Sequence, residues 1–305
     1  MCRFLLCKGR EPILIAELLT RPAHSIINQS FDCRLRIDRH RPINGDGFGV
    51  GWYDAHKLGE SPCIFTSVLP AWNNINLSRL AEKIHSPLVF AHVRASTGGF
   101  PSSESNCHPW QYGRLMWMHN GNIAQFGRIK RKLQASLRDE LYNFVQGNTD
   151  SEWSFALFLN QLDDPMNGPF TPEVLHKAMQ RTIALINEWL DEEDINEVSL
   201  MNFAITDGET VVCTRYITDA THEGASLYFS SGTRFESYKP GHYRMIKADK
   251  REDIVVIASE PLTFERTDWL TIPSNTIVVI TPSFNVLLYP IKDKYYNIGK
   301  RQAWV

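Results

Sequence analysis

The order of strand-like and helix-like segments is the feature that most constrains the fold of this 305-residue chain. Short apolar runs typical of strands come first, long segments with an apolar face typical of helices follow, and short apolar runs return in the last third. Hairpin signals such as Asp207-Gly208 occur between the late runs and favour antiparallel pairing. The sequence therefore predicts an α+β fold with antiparallel sheets.

The approximate limits of these segments follow from the same pattern. We predict strands at residues 2–6, 45–53, 88–93, 115–118, 200–206, 211–216, 227–231, 253–258, 276–281 and 286–290. We predict helices at residues 13–19, 129–145, 152–162 and 173–190. Glycines alternate with apolar residues in 45–53, which suits a strand that another backbone approaches closely.

The composition is that of an ordinary globular protein with a small-molecule substrate. Hydrophobic residues make up 43% of the chain, enough for a sizeable core, and we expect residues 2–305 to form a single domain. The formal net charge of -2 gives no broad attraction for nucleic acids or anionic membranes. Apolar runs are well below the roughly 20 residues that span a bilayer, and no signal-peptide pattern is present. We expect a cytoplasmic protein without a nucleic-acid or membrane partner.

Cys2 stands apart from the other cysteines. The six cysteines form no Cys-x-x-Cys pair, so we expect mostly reduced, buried thiols, with no metal and no cofactor. Cys2 directly follows Met1, and its small side chain permits removal of that methionine. The α-amine thus freed titrates near about 8 and a thiol near about 8.5, so the amine can act as a base for the thiol. Position alone also fits a cysteine that merely begins an edge strand.

Five short motifs follow Cys2 along the chain. They are Asn44-Gly45-Asp46-Gly47-Phe48-Gly49, Ala91-His92-Val93-Arg94-Ala95-Ser96-Thr97, Asn106-Cys107-His108-Pro109, His119-Asn120-Gly121-Asn122-Ile123 and Thr149-Asp150-Ser151-Glu152. Each motif alone is a weak signal. In this order after an N-terminal cysteine, they resemble the motifs of class II glutamine amidotransferases. The resemblance covers essentially the whole chain and implies an N-terminal nucleophile hydrolase fold, a four-layer αββα sandwich.

The resemblance also implies a reaction, the cleavage of a γ-glutamyl amide by Cys2 as nucleophile. Thiolate attack on the amide carbonyl creates an oxyanion, which an Asn side chain and a following glycine N–H can stabilise. Removing one such donor typically slows the reaction about 100-fold or more. Asn120 and Gly121 match the family's residues for this role. Asn-Gly is, however, also a hairpin turn signal.

The glutamyl end of the substrate carries a carboxylate and an ammonium group, which a guanidinium and a carboxylate side chain can bind. Arg94 and Asp150 match the family positions for these two contacts. Each also fits a solvated surface charge, and Asp150 also fits a helix N-cap. Thr97 and His108 lie in matching segments and are expected to line or support the pocket. Two histidines at strand ends are expected to be structural: His92 and His119.

Residues 19–30 and 41–53 resemble, more narrowly, the fungal glutathione-degradation amidotransferase-like subunits. This implies a subunit that works with a metallopeptidase-like partner and cleaves glutathione to glutamate and Cys-Gly, through a γ-glutamyl thioester on Cys2. Other readings remain open. A glutaminase that supplies ammonia from glutamine, or a γ-glutamyl hydrolase of a thiol-histidine pathway, would use the same residues. A non-catalytic scaffold subunit would not need Cys2.

Overall fold

Two stacked antiparallel sheets form the centre of the protein. The computed structural model describes residues 2–35, 43–54, 61–96, 103–249 and 251–300. The strands are β1 (Arg3–Leu14), β2 (Phe48–Trp52), β3 (Cys63–Ser67), β4 (His85–Val93), β5 (Trp110–Tyr112), β6 (Leu115–Asn122), β7 (Leu200–Thr206), β8 (Val211–Arg215), β9 (Tyr228–Gly232), β10 (Arg234–Lys239), β11 (His242–Ile246), β12 (Ile254–Ala258), β13 (Leu270–Thr271), β14 (Thr276–Ile280) and β15 (Val286–Pro290). The α-helices are α1 (Ala16–Leu19), α2 (Ile26–Gln29), α3 (Ile75–Ala81), α4 (Phe126–Ser136), α5 (Asp139–Phe144), α6 (Asp150–Leu159) and α7 (Pro172–Glu192).

The sheet topology brings the beginning of the chain to the middle of the first sheet. That sheet has the strand order β13-β9-β12-β1-β4-β2-β3, and the second has the order β15-β14-β8-β7-β6-β5. Strands β10 and β11 form a separate hairpin. Neighbouring strands pair antiparallel, so the start of β1 lies beside the end of β4. Cys2 immediately precedes this central strand.

Alternating side chains of the central strands enter different cores, as a period of two requires. In β1, Phe4 and Leu6 lie in the core between the two sheets, whereas Leu5 and Cys7 pack with helices α1 to α3. The second sheet divides in the same way between the inter-sheet core and the core under α4, α6 and α7. In β6, Met116 and Met118 lie in the inter-sheet core, whereas Leu115 and Trp117 lie in the core under the helices. Helices therefore cover both outer faces, which confirms the predicted αββα sandwich with antiparallel sheets.

Helix α6 is buried along most of its length, and this fixes its first residue, Asp150. Residues 151–159 are all buried, as expected for a helix that is apolar around its whole circumference. Trp117 of β6 stacks on Phe155 of α6 with ring centroids 5.6 Å apart. A helix enclosed on all sides holds its N-terminus in a constant position relative to β6.

The sequence predicts one helix over 129–145, but the structure has α4 and α5 there, so this expectation is wrong. Leu137 and Arg138 are extended, with ψ of 146° at both residues. The N–H of Arg138 donates to Oδ1 of Asn160 at 3.1 Å. A distant side chain thus takes up a backbone donor between the helices, which no local periodicity reveals.

Two other differences lie in exposed or connecting parts of the chain. The predicted helix at 13–19 is shorter, because Ile13 and Leu14 still belong to β1 and only Ala16–Leu19 is helical. The β10–β11 hairpin was not predicted, since its strands carry many exposed charged residues. None of the helices in the described ranges is long and apolar enough to cross a membrane.

Candidate active site

One cavity of about 560 Å³ lies where the ends of β4 and β6 meet the N-terminus of α6. Its volume is within the range of small-molecule pockets, about 300–1,000 Å³. Five of the seven candidate site residues lie on its walls: Cys2, Arg94, His108, Gly121 and Asp150. The remaining lining residues are Ala95, Ser96, His119, Asn122, Ile123, Phe126, Gly127, Lys130, Asn148, Thr149 and Ser151.

Cys2 reaches the cavity from the start of β1. The register pairs Arg3 with Val93, which places Cys2 beside the residues that follow β4. Its Sγ accepts the backbone N–H of Ala95 at 3.3 Å. The residue is 8% exposed, so the sulfur is largely shielded from bulk solvent while lying on the cavity wall. The Ala95 N–H thus holds the sulfur in a defined position on the cavity wall.

The backbone of Arg94 pairs with the glycine-rich segment before β2. The Arg94 N–H donates to the carbonyl of Gly47 at 2.8 Å, and the Arg94 carbonyl accepts the N–H of Asp46 at 3.1 Å. Nη1 donates to the Asp46 carbonyl at 3.2 Å. The side chain makes no other hydrogen bond to the described residues, and the residue is 4% exposed. Its remaining N–H groups can therefore pair with a ligand carboxylate.

The glycines of this segment permit the close backbone approach that the sequence predicts. A Cβ atom at Gly49 would lie 2.1 Å from the carbonyl oxygen of His108. Gly47 has a φ of +113°, and a Cβ there would lie 2.7 Å from Sγ of Cys107. Glycine is needed at both positions. The prediction is confirmed, and the contact places the segment containing His108 against β2.

Asn120 and Gly121 lie within β6 rather than in a hairpin turn. Asn120 is completely buried, and its Nδ2 donates to Oγ of Ser259 at 3.3 Å. An amide nitrogen carries two hydrogens, so one N–H of Asn120 remains for another acceptor. A Cβ atom at Gly121 would lie 1.8 Å from the carbonyl oxygen of Leu200. Only glycine fits at this position of the cavity wall.

His119 orients the hydroxyl group of Ser151. Its Nε2 lies 3.0 Å from the carbonyl of Leu200, which can only accept, so Nε2 carries the proton. Burial lowers the pKa of His119; the ring is neutral, and Nδ1 accepts the Ser151 hydroxyl at 2.8 Å. That hydroxyl has one hydrogen and cannot also donate to Oδ1 of Asp150, 3.3 Å away. Oδ1 remains an acceptor for a cationic group in the cavity.

Residues of the Thr-Asp-Ser-Glu motif both begin helix α6 and line the cavity. Thr149, not Asp150, caps α6, since its Oγ1 accepts the N–H of Glu152 at 3.3 Å. Asp150 is the first helical residue, and its Oδ2 accepts the N–H of Ile123 at 2.7 Å. Glu152 accepts the N–H of Gly147 at 2.6 Å, and burial raises its pKa. Thr149 therefore caps the helix, and the bond to Ile123 holds Asp150 on the cavity wall.

His108 and His92 form a buried stack beside the cavity. Their ring centroids are 3.8 Å apart. Trp110 packs edge-to-face with His108, and the centroids of these two rings are 4.1 Å apart. Burial lowers the pKa of His92 to about 3 and that of His108 well below its ordinary value. Both rings are therefore neutral at pH 7. Both ring nitrogens of His108 are buried and have no hydrogen-bond partner among the described residues.

The structure adds residues that the sequence did not single out. Arg3 donates to the carbonyl of Cys2 at 2.9 Å, and Ser259 accepts the N–H of Phe4 at 3.0 Å as well as that of Asn120. The signal available for Ser259 was weak, a polar residue at the end of an apolar strand. The predicted pocket residue Thr97 lies outside the described residues.

The cavity combines a cysteine sulfur with groups complementary to an amino-acid end. Arg94 supplies a cation and Asp150 an anion, and Gly121 lines the same cavity. Asn120 precedes Gly121 in β6 but is not itself a lining residue. This set suits nucleophilic attack on a carbonyl of a zwitterionic substrate. No three His, Cys, Asp or Glu side chains are grouped as metal ligands within the ranges that the structure describes.

Comparisons with known proteins agree with this arrangement. Residues 15–288 match the family model of class-II glutamine amidotransferases. The chain is 55% identical to probable glutamine amidotransferase DUG3 of Saccharomyces cerevisiae, over 97% of this chain and 86% of that protein. A match over 40% of this chain is 31% identical to gamma-glutamyl-hercynylcysteine sulfoxide hydrolase of Mycobacterium tuberculosis, of which it covers 50%.

A solved structure supports the same fold. The glutamine aminotransferase class-II domain protein from Silicibacter pomeroyi superimposes with a TM-score of 0.63 at 23% identity, over 95% of this chain and 99% of that one. The family model spans most of the chain, and the yeast relative is similar along nearly its whole length. The chain therefore belongs to the class-II glutamine amidotransferase family and is a hydrolase of γ-glutamyl amide bonds.

Proposed function

We propose that the chain is a thiol-dependent amidohydrolase that cleaves the γ-glutamyl bond of glutathione, giving glutamate and Cys-Gly. The observation that carries this proposal is the meeting of Cys2, Arg94, Gly121 and Asp150 around one cavity. These residues are up to 148 positions apart in sequence. Each has the chemistry that one part of a γ-glutamyl amide requires.

The reaction begins at the N-terminus after Met1 is removed. The α-amine of Cys2 takes the thiol proton, and the thiolate attacks the γ-carbonyl carbon. The free N–H of the Asn120 amide and the N–H of Gly121 stabilise the oxyanion. The ammonium group then protonates the leaving nitrogen, and a γ-glutamyl thioester forms on Cys2. Water activated by the same α-amine hydrolyses the thioester and releases glutamate.

The glutamyl group is recognised by its two charges. The guanidinium of Arg94 pairs with the α-carboxylate, and Oδ1 of Asp150 accepts the α-ammonium group. Support comes from the contacts that hold both side chains, namely the Asp46 carbonyl on Arg94 and the Ile123 N–H on Asp150. His108 is neutral and lines the same space, and Thr97 is expected to complete it. Groups fixed in advance bind a ligand at lower entropic cost.

The leaving group is the dipeptide Cys-Gly rather than ammonia. A cavity of about 560 Å³ has room for more than a glutamyl group. Its walls also include Phe126 and Lys130 of α4. An apolar ring and a cation suit a leaving group that carries carbon atoms and a carboxylate better than one that is only ammonia.

A peptidase-like subunit is the proposed partner. Support from the molecule itself is a patch of exposed apolar side chains, the 31–72 patch, made of Phe31, Ile43 and Trp72. Phe31 and Trp72 are in ring contact at 5.9 Å, and a Cβ atom on Gly45 would lie within 3.4 Å of both Ile43 and Trp72. All three side chains are at least 41% exposed. Clustered exposed apolar side chains commonly mark a binding surface. The active unit would then be a cytoplasmic complex in which residues 2–305 form one domain.

The test measures glutamate release from glutathione and from glutamine. The wild-type chain and the Cys2→Ala variant are assayed alone and after co-expression with a metallopeptidase-like protein as the candidate partner. We expect a higher kcat/KM for glutathione than for glutamine. We expect the Cys2→Ala variant to release no glutamate from either substrate. Preference for glutamine would favour the ammonia-supplying alternative. Full activity of Cys2→Ala in the complex would show a scaffold role and contradict the proposal.

A further inference from the structure

A buried ion pair contacts the backbone of Cys2 from outside the cavity. Nε of Arg3 lies 2.9 Å from Oε1 of Glu260, and both side chains are at most 1% exposed. The Nη1 group of Arg3 donates to the carbonyl of Cys2 at 2.9 Å. The guanidinium thus links a carboxylate that follows β12 to Cys2, the residue that precedes β1.

Glu260 is surrounded by donors. His24 donates to it through Nε2 at 2.9 Å, and the backbone N–H groups of Arg34 and Leu35 donate at 3.0 and 3.1 Å. Burial by itself raises the pKa of Glu260, but the hydrogen bond from His24, the charge of Arg3 and these N–H groups together hold the pKa at about 2. The carboxylate is therefore ionised at neutral pH and keeps Arg3 in one orientation.

Stability alone is a poor reason for such a pair. Removing two charges from water is costly, and buried ion pairs can often be replaced by apolar residues without loss of stability. The same guanidinium also donates to the carbonyl of Leu35 at 3.0 Å. Its three acceptors are thus one carboxylate and two backbone carbonyls, and one of these carbonyls belongs to Cys2.

We infer that Arg3 and Glu260 are positioning residues that hold the Cys2 carbonyl, and with it the thiol and α-amine, in the attacking orientation. The inference rests on the proposed role of Cys2. Once Met1 is removed, Cys2 is joined to the chain on one side only, so its backbone has no preceding peptide to fix it. The carbonyl contact fixes the peptide plane between Cys2 and Arg3, and with it the position of the Cα atom that carries the thiol and the α-amine. Misplacement of a reacting group by about 1 Å can cost on the order of 100-fold in rate.

The test separates orientation of the nucleophile from folding and from ligand binding. Three variants are compared with the wild type: Glu260→Gln, the double variant Arg3→Met/Glu260→Met, and the control Glu223→Gln. Glu223 pairs at 2.9 Å with the buried guanidinium of Arg215, and neither residue hydrogen-bonds to Cys2. The measured quantities are the alkylation rate of Cys2 by a chloroketone analogue of glutamine, the Kd of L-glutamate and the Tm.

We expect Glu260→Gln and the double variant to be alkylated about 10- to 100-fold more slowly, with the Kd of glutamate within twofold of wild type. The control should match the wild type in both. A folded double variant alkylated at the wild-type rate would overturn the inference, as would a rise in Kd that accounts for the slower alkylation. Glu260→Gln gives the same decision if the double variant does not fold. Absence of label on Cys2 in the wild type would instead refute the proposed function.

Discussion

Asp150 and Ile123 are joined by a hydrogen bond of 2.7 Å from the Ile123 N–H to the Asp150 carboxylate. The bond connects the first residue of the buried helix α6 to the residue that follows β6. It occupies Oδ2, while Ser151 turns its hydroxyl hydrogen toward His119 and leaves Oδ1 as an acceptor. The orientation of this carboxylate therefore does not depend on a ligand.

Asp150→Asn should raise KM for γ-glutamyl substrates about 100-fold or more, with a smaller effect on kcat. The ligand ammonium would lose its charge partner in a buried site, a loss of about 2–5 kcal/mol for such pairs. The asparagine Oδ1 atom can still accept the Ile123 N–H, so folding should be preserved. Steady-state kinetics check this. Asp139→Asn is the matched control, because Asp139 is the exposed first residue of α5.

An N-acetylated substrate sharpens the Asp150 prediction. Acetylation removes the ammonium charge, so wild type and Asp150→Asn should differ little toward this compound. If the variant keeps the wild-type KM for the free amine, Asp150 does not bind the α-ammonium group.

Asn120→Ala should lower kcat about 100- to 1,000-fold and change KM little, because an oxyanion donor acts in the transition state. Ser259→Ala removes the acceptor that orients the Asn120 amide and should have a smaller effect of about 10-fold. The comparison needs kcat and KM for both variants. A wild-type kcat in Asn120→Ala would remove this residue from the oxyanion site.

Gly121→Ala should be destabilised and inactive, whereas Gly127→Ala should be stabilised. The added methyl group at Gly121 would lie 1.8 Å from the Leu200 carbonyl oxygen, whereas at Gly127 no atom lies within 4 Å. A compatible Gly→Ala change typically stabilises by about 0.4–1 kcal/mol. Thermal unfolding of both variants measures the difference. Equal Tm values for the two variants would show that the backbone of β6 can shift at Gly121 to accommodate the methyl group.

Stability should fall as pH falls below about 6.5, the ordinary histidine pKa. Burial lowers the pKa of His92 to about 3, so between these values the unfolded chain binds a proton that the folded chain does not. The free energy of unfolding then falls by about 1.4 kcal/mol per pH unit for this group, and its full contribution is present above pH 6.5. His108 and His119 act in the same direction.

The comparison of wild type with His92→Gln isolates this contribution from other titrating groups. Urea unfolding between pH 5 and 7 should give a shallower pH dependence in His92→Gln, by about one proton. Identical slopes in the two proteins would contradict the assignment of a neutral buried His92.

The fold was predictable where a local pattern determines the structure. Continuous apolar runs mark β1 and β6 in the sequence, and the structure buries both faces of these strands, with Phe4 and Leu5 in different cores. The break between α4 and α5 was not predictable, because Asn160 binds the Arg138 N–H from 22 residues away. Tertiary contacts of this kind have no periodic signal.

In the candidate site, too, some residues could be predicted from local motifs and others could not. The ordered motifs selected Arg94, Gly121 and Asp150, and the structure places all three around the cavity with Cys2. The partnership of Arg3 with Glu260 could not be foreseen, because 257 residues separate them and no motif contains both. Short motifs carry residues that line the cavity, whereas a group such as Glu260, which supports Arg3, lies far away in the sequence.

Peptide mapping of active protein after reaction with a chloroketone analogue of glutamine shows directly which residue is the nucleophile. We predict a mature chain that begins at Cys2, with one label on its sulfur and loss of activity in proportion to labelling. Excess L-glutamate should protect against the label. Active protein that retains Met1, or inactivation with the label on another residue, would contradict the central claim that Cys2 is an N-terminal nucleophile.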